Sequence, residues 1–194
     1  FGVTNAYADV VDLFIETEHQ DRPGHYLEGG QSYPFGIIEE TVRVRRRPGG
    51  REFRDVPLRI RLTRRGPVIS DHGMGVATGR LLSMRWSATE AMQADTGAFA
   101  LFTARDVAAA RQAIGLSTAP YNYVIADTAG NIGHATGGRV PVRRRGDGSR
   151  PVPVTDGTDA WDGFVPPAAM PGQVNPARGW VGNANHRTVS RDFP

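Results

Sequence analysis

Two segments that alternate with a period of two constrain this chain more than anything else in it. Thr41-Val42-Arg43-Val44-Arg45 and Leu58-Arg59-Ile60-Arg61-Leu62-Thr63 each set aliphatic side chains against arginines. Two is the side-chain period of a β-strand, and an apolar face opposite a charged one describes a half-buried antiparallel sheet. Pro48-Gly49-Gly50 lies between them and supplies the turn.

Other segments extend the pattern. Arg65-Gly66-Pro67-Val68-Ile69-Ser70 reads as a turn and a short strand, and Leu81 to Trp86 as a further strand. Tyr121 to Asp127 is a strand, Thr128-Ala129-Gly130-Asn131 a turn, and Ile132 to Ala135 the returning strand. One helix is expected after Thr103, which is placed to cap it, with Asp106 three residues on. Val107, Ala110 and Ile114 share a face of that helix and Gly115 ends it. An earlier helix is expected between Glu90 and Phe102, with Gly97 inside it. Residues 17–36, polar and Gly-rich with Pro23 and Pro34, read as loop. From Pro141 to Pro176 the chain is rich in Pro and Gly, and so long an irregular stretch in a compact domain is often functional. The class is therefore α+β with more strand than helix. Core positions are expected at Val10, Leu13, Phe14, Val42, Val44, Leu58, Ile60, Leu62, Leu82, Trp86, Val107, Ile114, Val124 and Ile132.

Composition removes several chemistries. The 194 residues suit one domain, or one domain carrying an insertion. No cysteine means no disulfide framework and no thiolate metal site. All 23 basic residues are arginine, so lysine Schiff-base chemistry is absent. No run of about 18 apolar residues is present. The net charge is only +3, with arginines clustered at Arg43 to Arg47 and at Arg143 to Arg145.

No self-contained catalytic motif stands out. The nucleophile elbow, the zinc-binding helix and the phosphate-binding glycine loop are all missing. His19, His25, His72, His134 and His186 are scattered without metal-ligand spacing, so each reads as a surface or hydrogen-bonded histidine. Ser70, Asp71 and His72 are adjacent and do not orient one another as a triad. Asp9 and Asp12 sit among Val10, Val11, Leu13, Phe14 and Ile15, and carboxylates in apolar surroundings need partners.

The order of blocks along the chain carries more. Phe1-Gly2-Val3-Thr4-Asn5-Ala6-Tyr7-Ala8-Asp9-Val10-Val11-Asp12-Leu13-Phe14-Ile15-Glu16 opens the chain. Tyr33-Pro34-Phe35, Glu39 to Val44, Thr63-Arg64-Arg65-Gly66-Pro67-Val68-Ile69 and Leu82-Ser83-Met84-Arg85-Trp86-Ser87-Ala88 follow. Then come Asn122 to Asp127 with Gly130-Asn131-Ile132-Gly133, and Pro141-Val142-Arg143, Pro151-Val152-Pro153 and Trp161 to Pro166. Asn175-Pro176 and Asn183-Ala184-Asn185-His186-Arg187 close the series. In this order the blocks resemble the catalytic chain of the penicillin acylase (penicillin amidase) family, which are N-terminal-nucleophile (Ntn) hydrolases. Arg65 stands where that family usually has histidine.

The resemblance implies a fold, a reaction and a site. The fold is part of the Ntn-hydrolase α/β/β/α sandwich with a small β-rich insert. Core segments would lie at 1–37 and 81–194, the latter with the long Pro/Gly-rich loop, and the insert at 38–80. The family's nucleophile is a serine at the start of its catalytic chain, with its own α-amino group as base. Phe1 occupies the first position here, so the expectation is a fragment lacking the nucleophile, inactive alone. The oxyanion donors implied are the Asn5 backbone N–H and the Asn185 side-chain amide, with Asn183 as neighbour. A structural Ca2+ is implied at Asp9, the Val11 carbonyl and Asp12, with the Ser149 carbonyl, while the chemistry itself requires no cofactor. Partners implied are the rest of the catalytic chain, the α chain and a small-molecule acyl amide, with neither nucleic acid nor membrane. Autoprocessing and a periplasmic or secreted location also belong to the family. The competing reading is a non-enzymatic β-rich interaction module that binds anionic partners through its arginine-bearing strands.

Overall fold

The computed structural model describes residues 1–73, 79–90, 96–154, 161–190 and 193. The chain divides into two compact units. The first comprises Phe1–Val11, Trp86–Asp147 and Ala160–Pro194; the second comprises Asp12–Arg85 and Gly148–Asp159. The strands in chain order are β1 (Gly2–Asn5), β2 (Val11–Glu18), β3 (His25–Glu28), β4 (Gln31–Pro34), β5 (Gly36–Arg45), β6 (Phe53–Thr63) and β7 (Gly66–Pro67). They continue as β8 (Leu81–Trp86), β9 (Tyr121–Ala126), β10 (Ile132–Thr136), β11 (Pro141–Arg143), β12 (Val152–Pro153), β13 (Trp161–Phe164) and β14 (Gly172–Val174). Among the described residues two α-helices, α1 (Thr96–Thr103) and α2 (Val107–Ile114), lie between β8 and β9. The fold is α+β and strand-rich.

The first unit is built on the sheet β1-β9-β10-β14. Strand alternation gives this sheet two different faces. Tyr123, Ile125 and Ala135 point to one face and share a core with Leu101, Val107, Ala110, Ala113 and Ile114 of the helices. Gly133 lies on that face too, where an added Cβ would come within 2.7 Å of Val107 Cγ1. The missing side chain is what lets α2 lie so close to the sheet. The alternate residues Thr4, Asn122 and Thr136 fall in register across three strands on the other face.

The helix prediction holds in position, but its cap is different. The α2 N-cap is Asp106, whose carboxylate accepts from the Ala109 N–H at 2.7 Å. Thr103 instead ends α1, its hydroxyl bonded back to the Ala100 carbonyl at 3.0 Å. The earlier helix begins at Thr96; residues 91–95 of that prediction lie outside the described residues.

In the second unit β2 pairs with β3, β8 and, in parallel, β12. Phe14, Tyr26, Val68 and Leu82 are all 2% exposed or less. Residues 17–36, expected as loop, contain the end of β2 and the hairpin β3–β4. The strands are four residues each, too short to display an alternating pattern, and Tyr26 is their one fully buried anchor. Beside it Arg65 is buried, its guanidinium 3.0 Å from Glu28 and 3.7 Å from Glu16 and lying over the Phe14 ring. Ser83 donates to the same Glu16 carboxylate at 2.6 Å.

The two alternating segments pair as expected, Gly36 opposite Leu62 through Arg45 opposite Phe53. The half-buried sheet does not follow, because β5 is exposed along nearly its whole length. Val42 is 47% exposed, and the Trp86 side chain is likewise 42% exposed rather than core. Pairing satisfied the backbone, but no second layer covers the ribbon within its unit. Phe14, Leu82, Val107 and Ile114 are buried as expected.

Gly66 has φ +142°, and a Cβ there would sit 2.2 Å from the Met84 carbonyl oxygen. Gly66→Ala therefore combines a strained backbone with a clash against main chain that has no freedom to rotate away. It is expected to destabilise by about 2 kcal/mol or more. Urea unfolding checks this, and a midpoint equal to wild type would contradict it.

Candidate functional site

The polar face of the first sheet carries the site. Asn122, on β9, is only 1% exposed, and a buried carboxamide must have its donors and acceptors matched. Its orientation is set by Asn5, whose carbonyl oxygen can only accept. The Asn122 Nδ2 group donates to that carbonyl at 3.4 Å and to Asn183 Oδ1 at 3.3 Å. Its Oδ1 accepts from the Thr136 hydroxyl at 2.8 Å and faces His134 Nε2 at 3.3 Å. A flipped amide would oppose oxygen to oxygen at Asn5, so Nδ2 faces Asn5 and the proton of neutral His134 sits on Nε2.

Asn183 Oδ1 is the second node. It accepts from the Thr4 hydroxyl at 2.7 Å and from the Asn185 backbone N–H at 2.8 Å, as well as from Asn122. Asn185 adopts φ 60°, a left-handed conformation that asparagine tolerates better than most residues. Its side chain is exposed, and among the described residues its amide has no hydrogen-bond partner.

Asn5 ends β1, the edge strand of the sheet. Antiparallel partners exchange hydrogen bonds only at alternate positions. The Ala6 N–H bonds the Pro120 carbonyl at 3.0 Å, which leaves the intervening Asn5 N–H facing the open edge rather than β9. The chain then turns sharply. Asn5 Oδ1 accepts from the Tyr7 N–H at 2.8 Å, and Tyr7 has φ 50°. The structure thus brings Asn5, Asn183 and Asn185 into one hydrogen-bonded assembly. It adds Thr4, Asn122, His134 and Thr136, which sequence reasoning left out of the site. The sequence offered little signal for them: His134 and Thr136 stand two apart on β10, but on β9 Asn122 shares its face with Val124 and Ala126.

The residues singled out for calcium are divided between the two units. Asp9 and Val11 belong to the first unit, Asp12 and Ser149 to the second. The Asp9 carboxylate lies 3.5 Å from the Arg143 guanidinium, which also bonds the Asp9 carbonyl at 3.2 Å. Asp12 is 3% exposed, and Ser149 is at the surface. Among the described residues no group of three or more His, Asp or Glu side chains is placed to hold a metal. Two carboxylates and two carbonyls fall short of the six to eight oxygens calcium takes, and Arg143 is an unfavourable neighbour for a cation. Calcium at these residues would need further oxygen ligands.

Comparison with known proteins places the chain. The family model for penicillin amidase matches residues 1–194. The chain belongs to the penicillin amidase family. Penicillin acylase 2 proenzyme of Pseudomonas sp. (strain SE83) is 34% identical over 196 residues, covering all of this chain and 24% of that protein. Acyl-homoserine lactone acylase QuiP of Pseudomonas aeruginosa is 32% identical over 204 residues, again covering all of this chain and 23% of that protein. The chain thus spans about a quarter of the length of these relatives. A thermostable penicillin G acylase from Alcaligenes faecalis superposes with a TM-score of 0.77 over 99% of this chain and 33% of that one. At 23% identity that likeness supports the fold.

Burial holds the His134 pKa below the ordinary histidine value, with the positive charges of His186 and Arg178 adding to the effect. As pH falls, the unfolded chain therefore takes up this proton before the folded one does. The stability contributed by neutral His134 is complete above about pH 6.5 and is lost as pH falls from there through its lower folded-state pKa. His134→Gln keeps a donor for Asn122 and removes the titration. Thermal unfolding from about pH 7.5 to about pH 5.5 should show a steeper fall in Tm for wild type than for His134→Gln. Parallel curves would rule out this linkage.

Proposed function

We propose that this chain is part of the catalytic chain of an amidohydrolase that cleaves the acyl amide bond of penicillin-like or other N-acyl substrates. The nucleophile would be an N-terminal serine supplied by the full-length protein, within an Ntn-type α/β/β/α sandwich. The observation that carries this reading is a pair of donors on two segments tied into one hydrogen-bonded network. The Asn5 N–H lies at the open edge of β1, and the Asn185 amide, without a hydrogen-bond partner among the described residues, lies on the segment that Asn183 bonds to Thr4. Family membership over the whole chain supports it, as do relatives described as penicillin and acyl-homoserine lactone acylases.

The division of labour follows from charge. Attack on an amide carbonyl turns its oxygen into an oxyanion, and fixed donors stabilise that charge without reorganising. A backbone N–H and a carboxamide are suited to this because neither carries a proton it can lose near neutral pH. The serine hydroxyl attacks, its α-amino group takes the proton, and the same group returns a proton to the departing amine. Water then releases the acyl group from the serine by the reverse sequence. Removing one such donor costs about 10²–10³ in kcat.

The competing anion-binding module rests on the arginines of the exposed ribbon. Two of those arginines already have partners: Arg43 lies 3.9 Å from Asp55, and Arg43 and Arg45 both stack on the Phe53 ring.

In the full-length protein, Asn185→Ala is expected to lower kcat for a chromogenic acyl amide by about 10²–10³ with KM changed little. The 194-residue chain alone is expected to give no titratable active site. Wild-type turnover retained by Asn185→Ala would sink the assignment of that donor. Calcium in the full-length protein would need oxygens beyond Asp9, Val11, Asp12 and Ser149. If it is bound there, the midpoint of thermal unfolding rises with Ca2+ and the rise is lost in Asp12→Asn.

A further inference from the structure

We propose that Asn122 is the positioning residue that sets the two oxyanion donors against each other. The inference rests on the amidohydrolase reading above and adds to it a residue that is itself buried, 1% exposed. The two donors come from segments far apart in sequence: Asn5 lies on edge strand β1 and Asn185 on the irregular segment after β14. An oxyanion hole works only if its donors keep a fixed separation, and separate segments do not hold one unaided.

Asn122 joins them from below. One nitrogen, Nδ2, reaches both the Asn5 carbonyl at 3.4 Å and Asn183 Oδ1 at 3.3 Å. The Asn5 carbonyl belongs to the same peptide unit as the Ala6 N–H, which bonds Pro120. That peptide is held on both sides, which fixes the direction of the strand end that carries the Asn5 N–H. Asn183 Oδ1 passes the constraint on, because it accepts the Asn185 N–H at 2.8 Å and so holds Asn185 in its left-handed conformation.

The carboxamide is itself anchored. Thr136 donates to its Oδ1 at 2.8 Å, His134 Nε2 lies at 3.3 Å, and the residue is 1% exposed. A purely structural asparagine would need partners too, but it would not need to contact both donor-bearing segments with the same nitrogen.

The test uses the full-length protein with its N-terminal serine. Active sites are counted with a serine-directed covalent inactivator, and kcat is expressed per titrated site. Asn122→Ala is expected to lower kcat per site by about 10- to 100-fold while KM changes by less than about twofold. In a double-mutant cycle, Asn122→Ala with Asn183→Ala is expected to be little worse than the more damaging single change, because both act through one link. Thr136→Val removes a donor that anchors the carboxamide and nearly preserves volume, so it covers the case in which Asn122→Ala does not accumulate as folded protein. It should lower kcat per site in the same direction by a smaller factor. A structural role alone would reduce the number of titrated sites or the Tm and leave kcat per site unchanged, and that result overturns the proposal. Fully additive effects in the cycle also overturn it. A wild-type protein with no titratable site would overturn the amidohydrolase reading and this inference together.

Discussion

The interaction on which the rest of the site depends is one buried amide. Asn122 lies in the middle of a sheet, and a carboxamide left unpaired there would cost about 1–3 kcal/mol for each unmet group. Meeting its four bonding directions draws in Thr136 and His134 from the next strand, the Asn5 carbonyl from the strand on the other side, and Asn183 from more than 60 residues later. The polar face of this sheet is therefore a hydrogen-bonded layer in which each member limits the geometry of the next. Buried polar networks of this kind are stable only when they are complete, which makes them a rigid mount for chemistry.

The sheet can carry such a layer because its other face packs apolar side chains against the helices. Tyr123, Ile125 and Ala135 bury against α1 and α2, and Gly133 lets α2 approach closely. The helices thus supply the packing energy that holds polar strands in place. The second unit handles its buried charge differently. Arg65 lies against Glu16 and Glu28 with an aromatic ring beneath it, so the charge of one cation is spread over two carboxylates and a π face. The guanidinium is large enough to reach both carboxylates.

How much was legible in the sequence differed from element to element, for physical reasons. The ribbon β5–β6, the hairpin β9–β10 and α2 each announce themselves by periodicity, because a period is a property of consecutive residues. The hairpin β3–β4 was read as loop, since four-residue strands show too few alternations to be recognised. Thr103 and Asp106 both have capping side chains, and only the course of the chain after α1 decides that Asp106 takes the role. The exposure of Val42 and Trp86 depends on which layer covers a strand, and no stretch of consecutive residues encodes that. For the site, Asn5, Asn183 and Asn185 were identified by family resemblance, whereas Asn122, His134 and Thr136 looked like ordinary strand residues.

The sequence by itself determined that this chain would be strand-rich, free of thiol and lysine chemistry, and built of blocks in the order of one amidase family. Those are local or additive properties, written in residue types and their spacing. Only the tertiary structure decided that Thr4, Asn122, Thr136, His134 and Asn183 are one connected group, and that Asn5 and Asn185 lie at its ends. Hydrogen bonds between residues 61 and 179 positions apart have no period and no spacing rule. They exist because strand pairing sets Thr4, Asn122 and Thr136 side by side, and the course of the chain after β14 brings Asn183 against them.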